Sequence, residues 1–305
     1  MFYLFLFGAR ALLFVLPLLA VDAWAATYYV RADGTVTAAG KASATSCSAA
    51  STALSMAEHN NATLTAGDDV VLCHEGGTFT SVMTARVSGV DANNTSNITS
   101  SAGGRATIDV RVAISTSGWT TVSAGVRYSL STTNPERLWV NSGSGLVEWQ
   151  RRESASEVDT AGEWYWESST LYIGGTDPST LTSIYGLSSS TITGLSTNAK
   201  SYLYISGIDV YGATSSQIGV VKGDYITIND VVVGKGKNGI NISGDTSDGN
   251  NSSYITVQNS VIGESAWSLD NTYSSVNNYD GLKILYEADN VTISGNSFYN
   301  WATQQ

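Results

Sequence analysis

Four segments in the C-terminal third of the chain repeat one pattern of hydrophobic and polar positions. Each has β-forming residues at its first, third and eighth positions and Gly, Asp or Asn at its fifth. The segments start 23, 29 and 36 residues apart and comprise 203–210, 226–233, 255–262 and 291–298. Because these residue types tolerate a left-handed backbone, bends are expected at the fifth positions, Gly207, Asp230, Asn259 and Gly295.

A second set of short apolar stretches alternates with the first and comprises 218–221, 239–242 and 281–284. Within it, Ile240 and Ile242 flank Asn241, so each strand is expected to bury one face. Two short strands per repeat, turned by Asn and Gly, indicate a β-solenoid. A β-sandwich also has short alternating strands, but it requires no motif that recurs in one register. We therefore predict a solenoid.

The N-terminal part of the chain is predicted to supply a cap and the first coils. Residues 27–30 fit a strand, and residues 66–79 fit a buried strand between two turns. Residues 51–59 fit a short helix with Ser51 or Thr52 as its N-cap. A solenoid needs such a cap because its end otherwise presents open strand edges.

Five of the eight tryptophans fall within residues 119–175: Trp119, Trp139, Trp149, Trp164 and Trp166. Such rings stack on sugars, and they equally well fill the core of a small β-domain. Alternation places Trp164 and Trp166 on one face, which favours the core.

Composition and charge exclude several classes of protein. Ser, Thr, Asn and Gly make up 125 of the 305 residues, and only 13% of residues are charged, which is too few for a helical bundle. The 42% of hydrophobic residues excludes a disordered chain. A net charge of −11 argues against a nucleic-acid partner.

An apolar stretch at 11–21, followed by Ala23-Trp24-Ala25, predicts a signal peptide that is cleaved after Ala25. The alternative is an uncleaved anchor, and no other segment is apolar enough to span a membrane. The protein is therefore expected to be secreted, periplasmic or on the cell surface. In that compartment Cys47 and Cys73 are expected to form a disulfide rather than stay free thiols.

A patch with a lysine, an acid and two amides is predicted on the outer face of the second strand set. Its outward positions should stack about 4.8 Å apart. They are Gly219, Asn241 and Lys283, with Asp280, Asn238 and Lys237 beside them. Lys283 suits a base or an anchor for a carboxylate, and Asp280 suits a calcium ligand or a general acid. An ordinary solvated face would also carry such residues.

The interval 262–281 is longer than its counterparts and rich in aromatic and acidic residues: Glu264, Trp267, Asp270, Tyr273, Tyr279 and Asp280. This content suits a sugar-binding loop, and the alternative is a plain excursion.

Several stretches resemble secreted bacterial proteins of the pectate-lyase-like superfamily, namely 27–30, 66–79, 97–109, 148–175 and the repeated segments. The resemblance implies an all-β fold: a right-handed, single-stranded parallel β-helix with an N-terminal cap helix and a small β-rich insertion. The implied organisation is a signal peptide (1–25), cap and first coils (26–118), a Trp-containing insertion (119–180) and further coils (181–305). No C-terminal cap follows the last strand pattern, so the chain is expected to be a fragment of a protein that is monomeric at full length.

The superfamily includes lyases, hydrolases and adhesins, so the resemblance leaves the activity open. We expect a lyase acting on a uronate-containing polysaccharide, with Lys283, Asp280 and Asp270 in catalysis. Either no cofactor or calcium, held by Asp280 and Asp270, is implied. The expected substrate contacts are Asn241, Asn238, Lys237, Trp267, Tyr273 and Tyr279. The alternatives are a hydrolase using Asp280 with Glu264 or Asp270, and a non-catalytic glycan-binding module.

Overall fold

The computed structural model describes residues 25–123, 127–188, 190–244, 251–263 and 280–299. These residues form many short strands and few helices. Three parallel sheets, named here A, B and C, run along the stack of coils, and each coil contributes strands to them in turn. The protein therefore has a parallel β-helix fold.

Each parallel sheet takes its strands from successive coils. Sheet A contains Thr27–Arg31, Asp69–Cys73, Ser96–Ser100, Leu203–Ser206, Ile226–Asn229, Ile255–Gln258 and Thr292–Ser294. Sheet B contains Ala106–Asp109, Ile208–Tyr211, Val232–Gly234, Val261–Gly263 and Ser297–Tyr299. Sheet C contains Met83–Thr84, Thr193–Ser196, Ser216–Val221, Asn238–Ser243 and Leu282–Leu285. A two-stranded parallel ladder joins Ser252–Ser253 to Ala288–Asp289.

A coil contains three main strands, so the prediction of two strands per repeat was wrong. Each eight-residue segment divides into a sheet A strand and a sheet B strand at its fifth position. The residues there have positive φ angles: 70° at Gly207, 50° at Asp230, 51° at Asn259 and 63° at Gly295. The predicted bends are confirmed, and each bend is sharp enough to start a new sheet.

The inward positions of the three sheets form one continuous apolar core. Leu203, Ile226 and Ile255 align in sheet A, and all three are fully buried. Ile218 and Ile240 do the same in sheet C. Burying such a side chain contributes about 1.5–3 kcal/mol, and this stack is what holds the coils together.

Among the described residues, the N-terminal part contains one α-helix, Met56–Asn61, and three of the five short 3-10 helices. The N-cap of the α-helix is Ser55, whose hydroxyl accepts a hydrogen bond from the N–H of Glu58. The prediction of Ser51 or Thr52 as N-cap was wrong, because Ala50–Thr52 forms a separate 3-10 helix. The five 3-10 helices are Lys41–Ser43, Ala50–Thr52, His74–Gly76, Ala155–Glu157 and Pro178–Thr180.

Cys47 and Cys73 form the predicted disulfide, with their Cα atoms 5.3 Å apart. The bond ties the segment after the first 3-10 helix to the end of a sheet A strand. Closing a loop of this length stabilises the fold by about 3 kcal/mol in the loop-entropy account.

A fourth sheet, D, lies between a sheet B strand and the next sheet C strand along the chain. In spatial order its strands are Val112–Ile114, Ser183–Gly186, Leu138–Asn141, Leu146–Arg151, Glu163–Glu167, Thr170–Gly174, Arg127–Ser131 and Thr120–Ser123. All its neighbouring strands are antiparallel except Leu146–Arg151 and Glu163–Glu167.

Sheet D has its own apolar core, and tryptophans are central to it. Trp164 is 1% exposed, and its indole N–H donates to the carbonyl of Trp149, which is also buried. Trp119 and Trp166 pack against this core from its rim. In the described part of the chain, no helix has both the length and the apolar character to span a bilayer.

Candidate functional site

The outer face of sheet C presents one side-chain position from each of five strands in strict register. Thr84 aligns with Ser196, Ser196 with Gly219, Gly219 with Asn241, and Asn241 with Lys283. The predicted alignment of the last three is therefore present, and two hydroxyl residues extend it. Neighbouring positions are about 4.8 Å apart in such a ladder. This row, named the sheet C row, is a linear arrangement of polar groups along the axis of the coils.

Lys283 ends the described part of the row, and its ammonium lies 3.5 Å from the carboxylate of Asp280. Both side chains are about one-third exposed, at 31% and 38%. The structure thus brings together two of the predicted catalytic residues. A protonated ammonium has donors and no free lone pair, so in this pair Lys283 is arranged to bind an oxygen. To act as a base it must first release its proton.

Asn241 has an unsatisfied acceptor. Its side-chain oxygen, Oδ1, is buried and has no hydrogen-bond partner among the described residues. A buried acceptor without a partner costs about 1–3 kcal/mol, and such groups in folded proteins call for an explanation. Because the oxygen is buried, a ligand hydroxyl could donate to it only after the groups that cover it had moved.

Asn238, another predicted substrate contact, bridges backbone groups of two neighbouring coils. Its side-chain N–H group donates to the carbonyl of Ser215 at 2.5 Å, and its oxygen accepts from the N–H of Asp280 at 3.0 Å. Since both ends of the amide are engaged, the contribution of Asn238 to a site is to position Asp280.

Lys237 faces sheet D. Its ammonium lies 2.6 Å from Oε2 of Glu136, and both side chains are mostly buried. Beside it, Arg137 donates to the carbonyl of Gly236 at 3.3 Å and forms an ion pair with Glu148. These contacts attach sheet D to the turn between sheets B and C, directly before the strand that carries Asn238.

The same turn is shaped by a buried glutamine that the sequence did not single out. Gln217 is 1% exposed, and its amide exchanges hydrogen bonds with the N–H and carbonyl of Ala213 at 3.0 and 3.1 Å. It also donates to the carbonyl of Asn238. Gly236 leaves room for this amide, since a Cβ there would lie 1.8 Å from Nε2 of Gln217.

A second attachment of sheet D is a buried arginine between two aromatic rings. The guanidinium of Arg111 lies 5.4 Å from the ring centroid of Trp139 and 4.9 Å from that of Tyr185. Asp109, at the end of a sheet B strand, accepts from the same guanidinium at 2.9 and 2.5 Å. Cation–π contacts of this kind are worth about 2 kcal/mol when desolvated, so the two cores are firmly connected.

The remaining predicted site residues lie outside the described ranges: Asp270, Trp267, Tyr273, Tyr279 and the alternative carboxylate Glu264. Their roles stay predictions. Among the described residues, one close group contains three residues that could bind a metal ion: Cys47, Cys73 and Glu75. Its two sulfurs are joined in the disulfide.

Ser101, His74 and Glu75 form a second cluster of chemically reactive types near that disulfide. The hydroxyl of Ser101 lies 2.7 Å from both Nδ1 of His74 and Oε2 of Glu75. The Ser101 hydroxyl donates its hydrogen bond to the carboxylate of Glu75. The hydroxyl oxygen therefore accepts a hydrogen bond from the imidazole of His74, which does not act as a base toward it. The cluster therefore secures a corner of the fold.

No protein-family model and no curated protein sequence matches the chain. Among solved structures, the chain is similar to the complex of XylC with xylose, with a TM-score of 0.60 and 11% identity, over 89% of this chain and 54% of that one. The chain thus spans about half the length of that protein. The tailspike protein gp49 of Pseudomonas phage LKA1 aligns with a TM-score of 0.20 and 15% identity over 75% and 40% of the two chains, which carries no argument. At this identity the likeness to XylC shows a shared fold alone.

Proposed function

We propose that the protein is an exported, carbohydrate-active β-helix protein that binds an extracellular polysaccharide along the outer face of sheet C. The observation that carries the proposal is the sheet C row, whose described part runs in strict register from Thr84 to Lys283. A linear polymer with repeating hydroxyl groups matches a linear row of polar side chains on successive coils.

Two further observations support a carbohydrate. XylC, which shares the fold, is in complex with xylose, a neutral sugar. The hydroxyl and amide groups at Thr84, Ser196 and Asn241 are uncharged hydrogen-bonding groups suited to sugar hydroxyls.

We infer that the reaction is β-elimination on a uronate-containing glycan. The base removes the proton beside the uronate carboxylate, a carbon–carbon double bond forms, and the glycosidic carbon–oxygen bond breaks as the leaving oxygen gains a proton. Lys283 acts as the base once its ion pair with Asp280 opens, or it anchors the substrate carboxylate while another group takes the proton. Asp280 and Asp270 complete the proposed catalytic set. The proposed substrate contacts are Asn241, Trp267, Tyr273 and Tyr279, together with Asn238 and Lys237. The last two reach a substrate only by giving up contacts within the protein.

Hydrolysis of a neutral glycan is the second candidate, and the net charge of −11 favours it. A strongly acidic protein repels a polyanion unless local cations offset the repulsion. In this case Asp280 and either Glu264 or Asp270 serve as the paired carboxylates. Binding without cleavage is the third candidate.

Calcium, which related lyases use, does not fit the described residues. The carboxylate of Asp280 is paired with Lys283, and no cluster of three ligand types surrounds it in the described ranges. We derive no step through a metal ion.

We also infer the superfamily, the handedness of the coil, the cap, the insertion and the export of the protein. We assign the chain to the pectate-lyase-like superfamily, with a right-handed coil, a cap that includes the helix Met56–Asn61, and sheet D as the insertion. Export after cleavage at Ala25 is supported by the disulfide.

The test is a screen of the full chain against uronate-containing and neutral polysaccharides. Ultraviolet absorbance of an unsaturated product indicates a lyase, new reducing ends without it a hydrolase, and retention without either a binding module. Lys283→Ala is expected to reduce cleavage by about 10²–10⁴-fold if Lys283 is the base. The matched control is Lys41→Ala, near the N-terminus. Full activity of Lys283→Ala would show that the site is wrongly assigned, and inactivity on every glycan would remove the enzymatic proposals.

A further inference from the structure

Three tyrosines stack on one another at the turn that leads from sheet C into sheet A. Tyr202, Tyr225 and Tyr254 each directly precede a sheet A strand, in successive coils. Their ring centroids are 5.0 and 4.6 Å apart, and the planes of neighbouring rings differ by 10° and 6°. We name these residues the tyrosine ladder.

The backbone at this turn does not explain the choice of tyrosine. The φ angles of Tyr202, Tyr225 and Tyr254 are 57°, 55° and 58°, in the left-handed region that bulky residues rarely adopt. At the bend between sheets A and B, where φ is similar, the chain uses Gly, Asp, Asn and Gly. At the ladder position of the following coil it uses Asn290, with φ 50°. Because this backbone conformation disfavours tyrosine, the presence of tyrosine at all three positions indicates a role for the aromatic ring.

Within the described residues, the stack of rings ends at Tyr254, and we call this its open end. Exposure increases along the ladder: Tyr202 is half-buried, Tyr225 is 38% exposed and Tyr254 is 52% exposed. The coil beyond Tyr254 offers the amide of Asn290 in place of a ring, and that amide donates to the carboxylate of Asp289 at 3.2 Å. The last ring thus lies beside an exposed amide and an exposed carboxylate.

Sugars have the complementary chemistry. The C–H face of a pyranose ring is apolar and packs on an aromatic face, while its hydroxyl groups exchange hydrogen bonds with amides and carboxylates. Asp289 and the nearby exposed Glu287 are acceptors for hydroxyl groups, and they repel a uronate.

We propose that the open end of the tyrosine ladder at Tyr254 is a binding site for a neutral sugar ring of a polysaccharide. The inference rests on the proposed function, because it assumes a glycan partner, but it concerns a different surface from the sheet C row. It assigns the ladder to binding alone and gives it no part in bond cleavage.

The test uses affinity electrophoresis of the full chain in gels containing soluble xylan, a neutral glycan, or polygalacturonate, an acidic one. Tyr254→Ala is expected to weaken retardation by xylan about three- to tenfold, the range expected for one lost aromatic contact. Tyr254→Phe retains the ring and is expected to bind like the wild type. Tyr165→Ala, which removes a tyrosine of sheet D, is the matched control and is expected to have no effect. Circular dichroism and the melting temperature show whether each variant is folded.

Several outcomes would overturn the proposal. Unchanged xylan binding by folded Tyr254→Ala would do so, as would equal losses in Tyr254→Ala and Tyr165→Ala. A loss in Tyr254→Phe would assign the effect to the hydroxyl group rather than the ring face. If the wild type binds no neutral glycan, the ladder proposal fails, whereas cleavage of an acidic glycan that depends on Lys283 would leave the proposed function standing.

Discussion

The ammonium of Lys237, in the turn between sheets B and C, lies 2.6 Å from the carboxylate of Glu136, in the turn before the sheet D strand Leu138–Asn141. The pair joins residues about a hundred positions apart in the chain. The pair also engages Lys237, which was predicted from the sequence to contact the substrate. A structural role and a binding role for Lys237 therefore make different predictions.

If the pair is a structural joint, Lys237→Met and Glu136→Gln are expected to be coupled in stability. The coupling free energy from a double-mutant cycle should be about 0.2–1 kcal/mol and should fall as salt is added. Urea unfolding of the four proteins measures it. Zero coupling, together with loss of glycan binding in Lys237→Met alone, would instead favour the binding role.

Gly236 is expected to be intolerant of a side chain. A Cβ at this position would lie 1.8 Å from Nε2 of Gln217 and 2.5 Å from the carbonyl oxygen of Ala213, so Gly236→Ala should reduce the free energy of unfolding by about 1–3 kcal/mol. Gly40→Ala, where the closest atom is 3.3 Å away, is the control. Adding Gln217→Ala to Gly236→Ala should recover part of the loss if the clash with the amide is its cause.

Glu163 is expected to make sheet D sensitive to acid. Burial acts to raise its pKa, but Arg152 and the N–H groups of Asp159 and Thr160 outweigh this and hold the pKa of Glu163 at about 2. The stabilisation is therefore complete above the ordinary value of 4.5 and is lost as the pH falls toward 2. Glu163→Gln should cost about 1–3 kcal/mol near neutral pH and less at pH 3.

Melting temperatures of the wild type and Glu163→Gln at the two pH values check this expectation. Glu157→Gln, at an exposed carboxylate in the same region, is the control and should change little. A difference between the wild type and Glu163→Gln that is equally large at both pH values would contradict the titration account.

His59 is expected to make the stability of the N-terminal part of the β-helix sensitive to acid as well. It is fully buried, and neither ring nitrogen has a hydrogen-bond partner among the described residues. Burial lowers the pKa of His59 from 6.5 to about 4. The unfolded chain thus binds more protons between these values, so stability is complete above pH 6.5 and declines as the pH falls through about 4.

Replacing His59 with Leu is expected to flatten the dependence of the unfolding free energy on pH between 6.5 and 4. Met56→Leu, a change at a buried apolar residue of the same helix, is the control and should leave the slope in place. Denaturant titrations at several pH values measure the slope. A slope that survives in folded His59→Leu would contradict this account.

The repeat within the coils could be predicted from the sequence because strand alternation and the residue types at bends are local features. The residue types at Gly207, Asp230, Asn259 and Gly295 predicted the bends. The second set of apolar stretches, 218–221, 239–242 and 281–284, predicted that Asn241 lies beside Lys283. Counting two strands per coil failed for a local reason as well. The pattern ran on across the bend, and a positive φ there turns one apparent strand into two.

The surroundings of the candidate site were not accessible in this way. The contacts of Arg137 with Gly236 and of Lys237 with Glu136 depend on how sheet D lies against the coils. No periodicity connects segments so far apart. The engagement of Asn238 with the backbone on both sides likewise follows from coil stacking and not from its residue type.

The turn between sheets B and C is short in one coil, where it spans residues 212–215, and contains the whole of sheet D in the coil before it, at 110–192. The flanking strands nevertheless stay in register, as Leu195 with Ile218 and Ile108 with Val210. The coils therefore place almost no limit on the length of chain leaving at this turn. An element inserted at this turn leaves the register of the core unchanged, so differences in its length are absorbed outside the coils.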